Sequence, residues 1–299
     1  MLTENGQKFI LIKEQEEKKE NMGVERRITQ IYDTITFEFK RFWKIFLLLI
    51  LVYVAVFVLY YAINEIEYAQ GVEVPEESVE YFTSYLGMLN FLVIISTSTL
   101  GGSIIAEDFD KQTGNLLFPK IDKSRLLIGR TTARYSLNAL LVIFYYILIA
   151  VITNYMYAEI PDAFFESLSW ALLYLFMITT FVIMMSSLNK SASSAMIISI
   201  FFLLIVFQLI ETILMVTSVE IEPLFLPNYY FNIIEASLDW PDERFTEILM
   251  PSAREGDFVE FKQWVTPKPS DALFGMLIFA GVFLFIAYMI YKRRQSKNE

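Results

Sequence analysis

Long apolar runs alternate with short charged stretches along the chain. Six of these runs can cross the roughly 30 Å hydrocarbon core of a bilayer. None alternates apolar with polar residues as a membrane β-barrel strand does, and backbone groups in lipid must bond within their own segment, so each run is predicted to be an α-helix. The predicted spans are Ile45–Ile63, Leu86–Ala106, Tyr135–Ala158, Leu168–Leu188, Ala192–Ser218 and Ala272–Tyr291.

This pattern predicts an all-α integral membrane protein with polar segments at both ends and between the spans. Before the first span, apolar residues from Val24 to Phe42 recur at steps of three and four, which indicates an amphipathic helix at the membrane interface. The predicted parts are a mobile charged tail (1–22), the interfacial helix (23–44), a six-span domain (45–291) with a cytoplasmic segment (107–130) and an extracytoplasmic segment (219–270), and a basic cytoplasmic tail (292–299).

Lysine and arginine are concentrated in alternate connections, which predicts the orientation of the spans. The segments 23–44, 107–134 and 292–299 and the turn at Lys190 are basic, whereas the connection 64–85 has acids and no base. Since basic residues favour the cytoplasmic side, both termini are predicted to be cytoplasmic. The expected location is the plasma membrane, with multiple spans.

Composition excludes several kinds of chemistry. The 299 residues contain no cysteine and no histidine, which rules out disulfides, thiol nucleophiles, Cys/His zinc sites and histidine acid–base catalysis. The net charge of −10 argues against a nucleic-acid partner. No G-x-x-x-x-G-K-[ST] motif is present, so we expect no ATP site, no catalysis and no cofactor on this chain. An intramembrane enzyme is disfavoured because the first five spans offer only Glu211 as an acid.

Two polar residues of the fifth span are candidates for a substrate path. Gln208 and Glu211 are three residues apart and therefore share a helix face. Ionisable residues inside a membrane usually face protein or water. The alternatives are the hydrated end of a tilted helix, or a hydrogen bond between helices.

Six prolines break the extracytoplasmic segment into short pieces. Pro227 begins a predicted short helix at the outer interface, where Tyr229, Tyr230, Phe231 and Trp240 suit the level of the lipid headgroups. The alternative to an aromatic belt is a lid over a substrate exit.

The connection after the second span, EDFDKQTGNLLFPKIDKSR, is long and amphipathic. Gly114 permits a bend and Pro119 breaks or begins a helix, so two short helical pieces beneath the inner leaflet are predicted. The acids Glu107, Asp108 and Asp110 come first and the bases Lys120, Lys123 and Arg125 come later. This asymmetry suits a complementary groove on a protein partner. The alternative is a basic stretch that only fixes orientation and contacts anionic lipid.

These features together resemble the ABC-2 family of ABC transporter permeases, and archaeal members most closely. The resemblance covers roughly residues 24–294 and is most specific in this connection. The residues that carry it are Glu107, Asp108, Thr113-Gly114, Leu116-Leu117, Pro119, Arg125 and Gly129-Arg130. The spacing between Pro119 and Arg125 is longer here than is usual in the family.

The resemblance implies that the connection is a coupling helix that sits on a separate ATPase subunit, which binds the ATP. It also implies a second permease copy, which we expect to be identical, and outward transport of an unidentified substrate. The implied ATPase-coupling residues are Glu107, Asp108, Phe109, Asp110, Gly114, Leu116, Leu117, Pro119 and Arg125. The alternative functions are an ATP-independent carrier, a channel, or an immunity or scaffold protein.

Overall fold

The chain is a bundle of long helices. A computed structural model describes residues 4–110, 123–217, 221–251 and 258–295, with side chains over 28–110, 124–217, 221–246 and 263–294. Six helices in these ranges are long and apolar enough to cross a membrane. The protein is therefore a helical, multi-pass membrane protein.

Nine α-helices and two strands occur in the described residues. The first four helices are α1 (Glu4–Ala69), α2 (Ser78–Gly101), α3 (Ala106–Asp110) and α4 (Lys123–Tyr157). The next are α5 (Phe164–Leu188), α6 (Ala192–Phe201), α7 (Phe207–Val216), α8 (Asn232–Ala236) and α9 (Pro269–Gln295). The strands are β1 (Phe245–Pro251) and β2 (Phe258–Trp264). The spans are formed, in order, by α1, α2, α4, α5, α6 with α7, and α9.

The predicted tail, interfacial helix and first span are continuous within α1. No proline interrupts residues 4–69, so nothing removes a backbone donor from the helix. It ends where Gly71 adopts a φ of 98°, which glycine tolerates. There the backbone amide of Val72 donates to the carbonyl of Glu67, and that of Gly71 donates to the carbonyl of Tyr68. These bonds satisfy two carbonyls at the end of the helix.

The second and fourth spans form the centre of the bundle. In the most apolar stretch of these two spans, 67% and 78% of the residues are buried inside the protein. The corresponding fraction is 17% for the first and sixth spans and 11% for the fifth. The first span packs on the third, and the fourth packs on the sixth. The outer faces of the first, fifth and sixth spans are therefore left for lipid or for another chain.

A short turn separates α2 from α3, and the fourth span supports it. The hydroxyl of Ser186 donates to the carbonyl of Gly102 at 2.7 Å and accepts from the amides of Ile105 and Ala106, each at 3.0 Å. One side chain thus satisfies three backbone groups that the break would leave unpaired inside the protein. The direction of α3 is consequently set by the fourth span.

The fifth span contains one turn of π-helix at Phe202–Val206, between α6 and α7. Such a turn leaves the regular hydrogen-bond pattern, and these turns are frequent at functional sites. The side-chain amide of Asn228 donates to the backbone carbonyl of Leu203 at 2.6 Å. The segment between the fifth and sixth spans is therefore attached to the fifth span at its irregular turn.

The segment between the fifth and sixth spans combines a 3-10 turn (Pro227–Phe231), α8 and an antiparallel hairpin of β1 and β2. The hairpin was not foreseen from sequence. The interfacial role of the aromatic residues was also wrong for three of them, because Tyr229, Tyr230 and Phe231 are buried in the protein. Each packs inward, and the hydroxyl of Tyr230 donates to the carbonyl of Leu224 at 2.7 Å.

Candidate functional site

Three carboxylates and three guanidinium groups meet at one end of the bundle. We call this set the charge cluster: Glu38, Arg41, Glu107, Asp108, Arg130 and Arg134. All but Arg41 are at most 5% exposed. We call this the inner end, after the orientation predicted from the basic residues. Burying charged groups is costly unless they are paired, and the cluster balances its charges.

Glu38 of α1 and Arg134 of α4 form the most deeply buried pair. Two guanidinium nitrogens of Arg134 donate to Oε2 of Glu38, at 2.8 and 3.0 Å. Arg134 also donates to the carbonyl of Leu100 and to the hydroxyl of Ser103, and its guanidinium lies 4.1 Å from the ring centroid of Phe42. One arginine therefore joins the first, second and third spans.

Asp108 of α3 contacts the third span and adds the sixth. Nη1 of Arg130 on α4 lies 3.0 and 2.9 Å from its two carboxylate oxygens. The hydroxyl of Tyr291 on α9 donates to Oδ2 at 2.8 Å. Arg130 also donates to the carbonyl of Ile104 at 2.8 Å, and its Nε is 3.5 Å from Glu38. Any displacement of Asp108 must therefore move the third and sixth spans or break these bonds.

The two flanks of the segment 111–122 are both attached to α1. At one flank, Glu107 pairs with Arg41. At the other flank, Nη1 of Arg125 donates to Oε1 of Gln30 at 2.7 Å. Gln30 and Arg41 are eleven residues apart, so the attachment points are separated by about 16 Å along the helix axis. The first helix consequently holds both ends of the predicted coupling segment.

The structure separates the predicted coupling residues into inward and outward groups. Glu107 and Asp108 are buried in ion pairs, whereas Asp110 is exposed. Phe109 is half-buried between the ring of Tyr291 and the guanidinium of Arg294, at 6.1 and 5.2 Å. The predicted residues Gly114, Leu116, Leu117 and Pro119 lie outside the described residues.

The predicted path residues of the fifth span do not line a common chamber. Gln208 is exposed on the outer face of α7. Glu211 is half-buried beside a hollow of about 30 Å³, lined also by Leu214, Met215 and Trp264. A hollow of that size accommodates about one water molecule. The two side chains on this helix therefore have different surroundings, since Gln208 is exposed and Glu211 borders the hollow.

A larger cavity of about 740 Å³ opens at the other end of the bundle, between α2, α8 and β2. Its acidic residues are Glu77, Glu80, Glu235 and Asp239. Burial raises the pKa of Glu235 from 4.5 to about 7. The charge of this cavity therefore changes near neutral pH.

Sequence analysis missed four of the residues that build the charge cluster. Glu38 and Arg41 were only part of the predicted interfacial helix, and Arg134 contributed only to the predicted orientation. Arg130 contributed to the orientation and to the family resemblance, but it was not among the predicted coupling residues. Their spacings of three and four residues place each pair on one helix face, which is a detectable signal. Ser186 and Tyr291 carry no such signal, because their roles depend on how the fourth and sixth spans pack.

No group of three or more potential metal ligands was found among the described residues. No protein-family model matches the chain, and a comparison with curated proteins finds no match.

Proposed function

We propose that this chain is the membrane-spanning subunit of an ABC-type exporter, driven by ATP that a separate ATPase subunit hydrolyses. The substrate moves outward through the membrane domain, and the chain itself carries out no catalysis. The proposal combines the family resemblance of the segment 107–130 with the contacts that surround it.

The observation that carries the proposal is the attachment of this segment to several spans at once. Glu107 contacts the first span, and Asp108 contacts the third and the sixth. Arg125 contacts the first span from the other flank. A force applied to the segment would therefore reach three spans directly. A loop that served only to connect two helices would not need these buried ion pairs.

Burial gives this connection its stiffness. Ion pairs that are removed from water cannot exchange their partners for solvent, so breaking one leaves an unpaired buried charge. Glu38 bonds to Arg134 and lies close to Arg130, which in turn binds Asp108. The cluster thus moves as a unit, as a force-transmitting joint requires. Closure of the ATPase would displace α3 and α4 together with α1.

Asp110 is the described residue that best suits contact with the ATPase. It is exposed at the end of α3, directly before the segment 111–122, while its neighbours Glu107 and Asp108 face the bundle. In this assignment the inward acids transmit the force, and the outward acid contributes to docking.

A second, identical permease copy is part of the proposal. Only 11% of the residues in the most apolar stretch of the fifth span are buried, and Gln208 lies on its exposed face. A polar side chain in the membrane rarely faces lipid, because hydrocarbon offers it no hydrogen bond. A second copy that packs on this face would provide partners for the amide.

Affinity purification from native membranes tests the proposal. The full chain, tagged at its C-terminus and extracted in a mild detergent, should retain a soluble P-loop ATPase that mass spectrometry identifies. The variant Asp110→Lys should reduce recovery of this ATPase about tenfold, because a charge reversal at a contact costs on the order of 1–2 kcal/mol.

Glu159→Lys provides the matched control, since it makes the same charge change at an exposed acid after the third span. It should leave recovery of the ATPase unchanged. If the wild-type chain retains no P-loop ATPase and transports solutes alone in vesicles, the chain is an ATP-independent carrier or channel instead. Equal losses for the two variants would overturn the docking role of Asp110.

A further inference from the structure

The cavity of about 740 Å³ between α2, α8 and β2 lies at the end of the bundle away from the charge cluster. Its volume is within the range of about 300–1,000 Å³ that is usual for sites of small organic ligands. We propose that this cavity binds a linear organic cation with two or more ammonium groups, of the polyamine class. The inference concerns binding at this end of the bundle and does not depend on the transport function.

Four acids line this cavity, and no lysine or arginine is found among its described lining residues. Glu77 and Glu80 lie at the start of α2. Glu235 of α8 and Asp239, which follows that helix, belong to the segment between the fifth and sixth spans. A cleft lined by charges of one sign concentrates counter-ions, so this cavity attracts cations.

These four acids differ from the acids of the charge cluster, because their charges are not neutralised within the protein. None of the four carboxylates forms an ion pair or a hydrogen bond with another described residue. Glu235 is half-buried, whereas Glu77, Glu80 and Asp239 are exposed. Burial destabilises the charged form of a carboxylate, and a cation beside it offsets that cost. Glu235 is therefore the acid that gains most from a bound cation.

The separation of the acids suits an extended cation better than a metal ion. No three of the described acids come close enough together to hold a metal, so the four carboxylates do not converge on one point. Calcium takes about six to eight oxygen ligands at a single centre. A polyamine instead carries its ammonium groups apart on one chain, so that each can reach a different carboxylate.

The rest of the lining suits the other parts of such a molecule. Val79, Ala236 and Val265 offer apolar surface for the methylene groups between the charges. A primary ammonium donates up to three hydrogen bonds, and the side-chain oxygens of Asn232 and Gln263 are further acceptors in the lining. Alternating charged and apolar parts of the ligand thus match alternating acidic and apolar parts of the cavity.

Isothermal titration calorimetry with two matched amines tests this inference. The full chain in a mild nonionic detergent is titrated with 1,5-diaminopentane and with pentylamine, which has the same carbon chain but only one ammonium. A buffer of about pH 8 keeps Glu235 ionised, because burial raises its pKa to about 7, while alkylammonium groups stay protonated. We expect the diamine to bind about tenfold more tightly, equivalent to one further charge-assisted hydrogen bond.

Two variants and a matched control locate the binding. Glu235→Gln keeps the size of the side chain and should weaken both amines about tenfold, because the most enclosed acid loses its charge. The double variant Glu77→Gln/Glu80→Gln removes the acids of α2 and should lower the affinity for the diamine to about that for pentylamine. Glu159→Gln makes the same charge change at an exposed acid outside the lining and should leave both affinities unchanged. Size-exclusion chromatography of each variant verifies folding before the comparison.

Three results would overturn the inference. Equal affinities of the wild-type chain for the diamine and pentylamine would show that two charges are not read together. Equal losses in Glu235→Gln and Glu159→Gln would reduce the binding to a general attraction by the net negative charge. Displacement of the diamine by magnesium ions at concentrations below those at which the diamine itself binds would assign the cavity to a metal ion.

Discussion

Arg134 shows how one side chain can join three transmembrane helices. Its guanidinium is fully buried and donates to Glu38 of the first span and to Leu100 and Ser103 of the second span or the turn after it. Arginine suits this position because its planar group has five donors in a fixed geometry. Lysine, with a single charged nitrogen, cannot reach all of these acceptors together.

We predict that Arg134→Met lowers the free energy of unfolding by about 3–5 kcal/mol, because Glu38 loses its closest partner in a buried site. Arg134→Lys should give a smaller loss, since the charge remains while one of the two hydrogen bonds to Oε2 of Glu38 is lost. Denaturant unfolding in detergent micelles measures both.

The exposed Arg293 at the same end provides the control. Arg293→Met should change the free energy of unfolding by less than about 0.5 kcal/mol, as surface substitutions usually do. An equally small effect of Arg134→Met would mean that the cluster does not join the helices.

Individual elements depend on close contacts that single glycines permit. On α9, a Cβ at Gly275 would lie 2.6 Å from Cζ of Tyr230, far below an ordinary contact distance. Tyr230 is 2% exposed and donates to Leu224, so its ring cannot move away freely. The sixth span therefore touches the segment that precedes it through a glycine.

Gly275→Ala should destabilise the protein by about 1–3 kcal/mol, the usual cost of overpacking. Gly281 lies on the same helix with open space around its Cα, so Gly281→Ala should be neutral or stabilise by up to about 1 kcal/mol through helix propensity. Thermal unfolding of the two variants in the same detergent compares them. Similar stabilities for both would contradict the contact between Gly275 and Tyr230.

The whole molecule presents three peripheral spans around two buried ones. The third span is intermediate, with half of its most apolar window buried. Among the peripheral spans, the fifth carries an exposed amide, Gln208, in its apolar sequence. An exposed amide in an apolar span is expected where a second copy packs on that face.

A single cysteine tests this assembly, because the natural chain has none. Gln208→Cys should form disulfide-linked dimers in oxidised membranes, and Leu140→Cys, exposed on the third span, should not. Gel electrophoresis without reductant separates monomer from dimer. Cross-linking at position 140 with none at position 208 would contradict a dimer through the fifth span.

Much of the fold follows from local pattern. The six spans were predictable because lipid forces each apolar run to satisfy its own backbone, so a span depends on composition and length rather than on distant contacts. The charge pattern of the segment 107–125 could also be read from the sequence, whereas its coupling role stays a prediction.

Only the tertiary structure decided the directions and partners of those residues. Glu107 and Asp108 became internal ion-pair partners, although their sequence neighbourhood suggested an external contact, because α1, α4 and α9 supply basic and hydroxyl groups from distant positions. The inward packing of Tyr229 and Tyr230 likewise depends on the fourth and sixth spans. Sequence alone determined which segments can cross the membrane, because crossing depends only on the length and apolar composition of each segment. Only the packed bundle decided which charges meet, because there residues far apart in the chain come within hydrogen-bond distance.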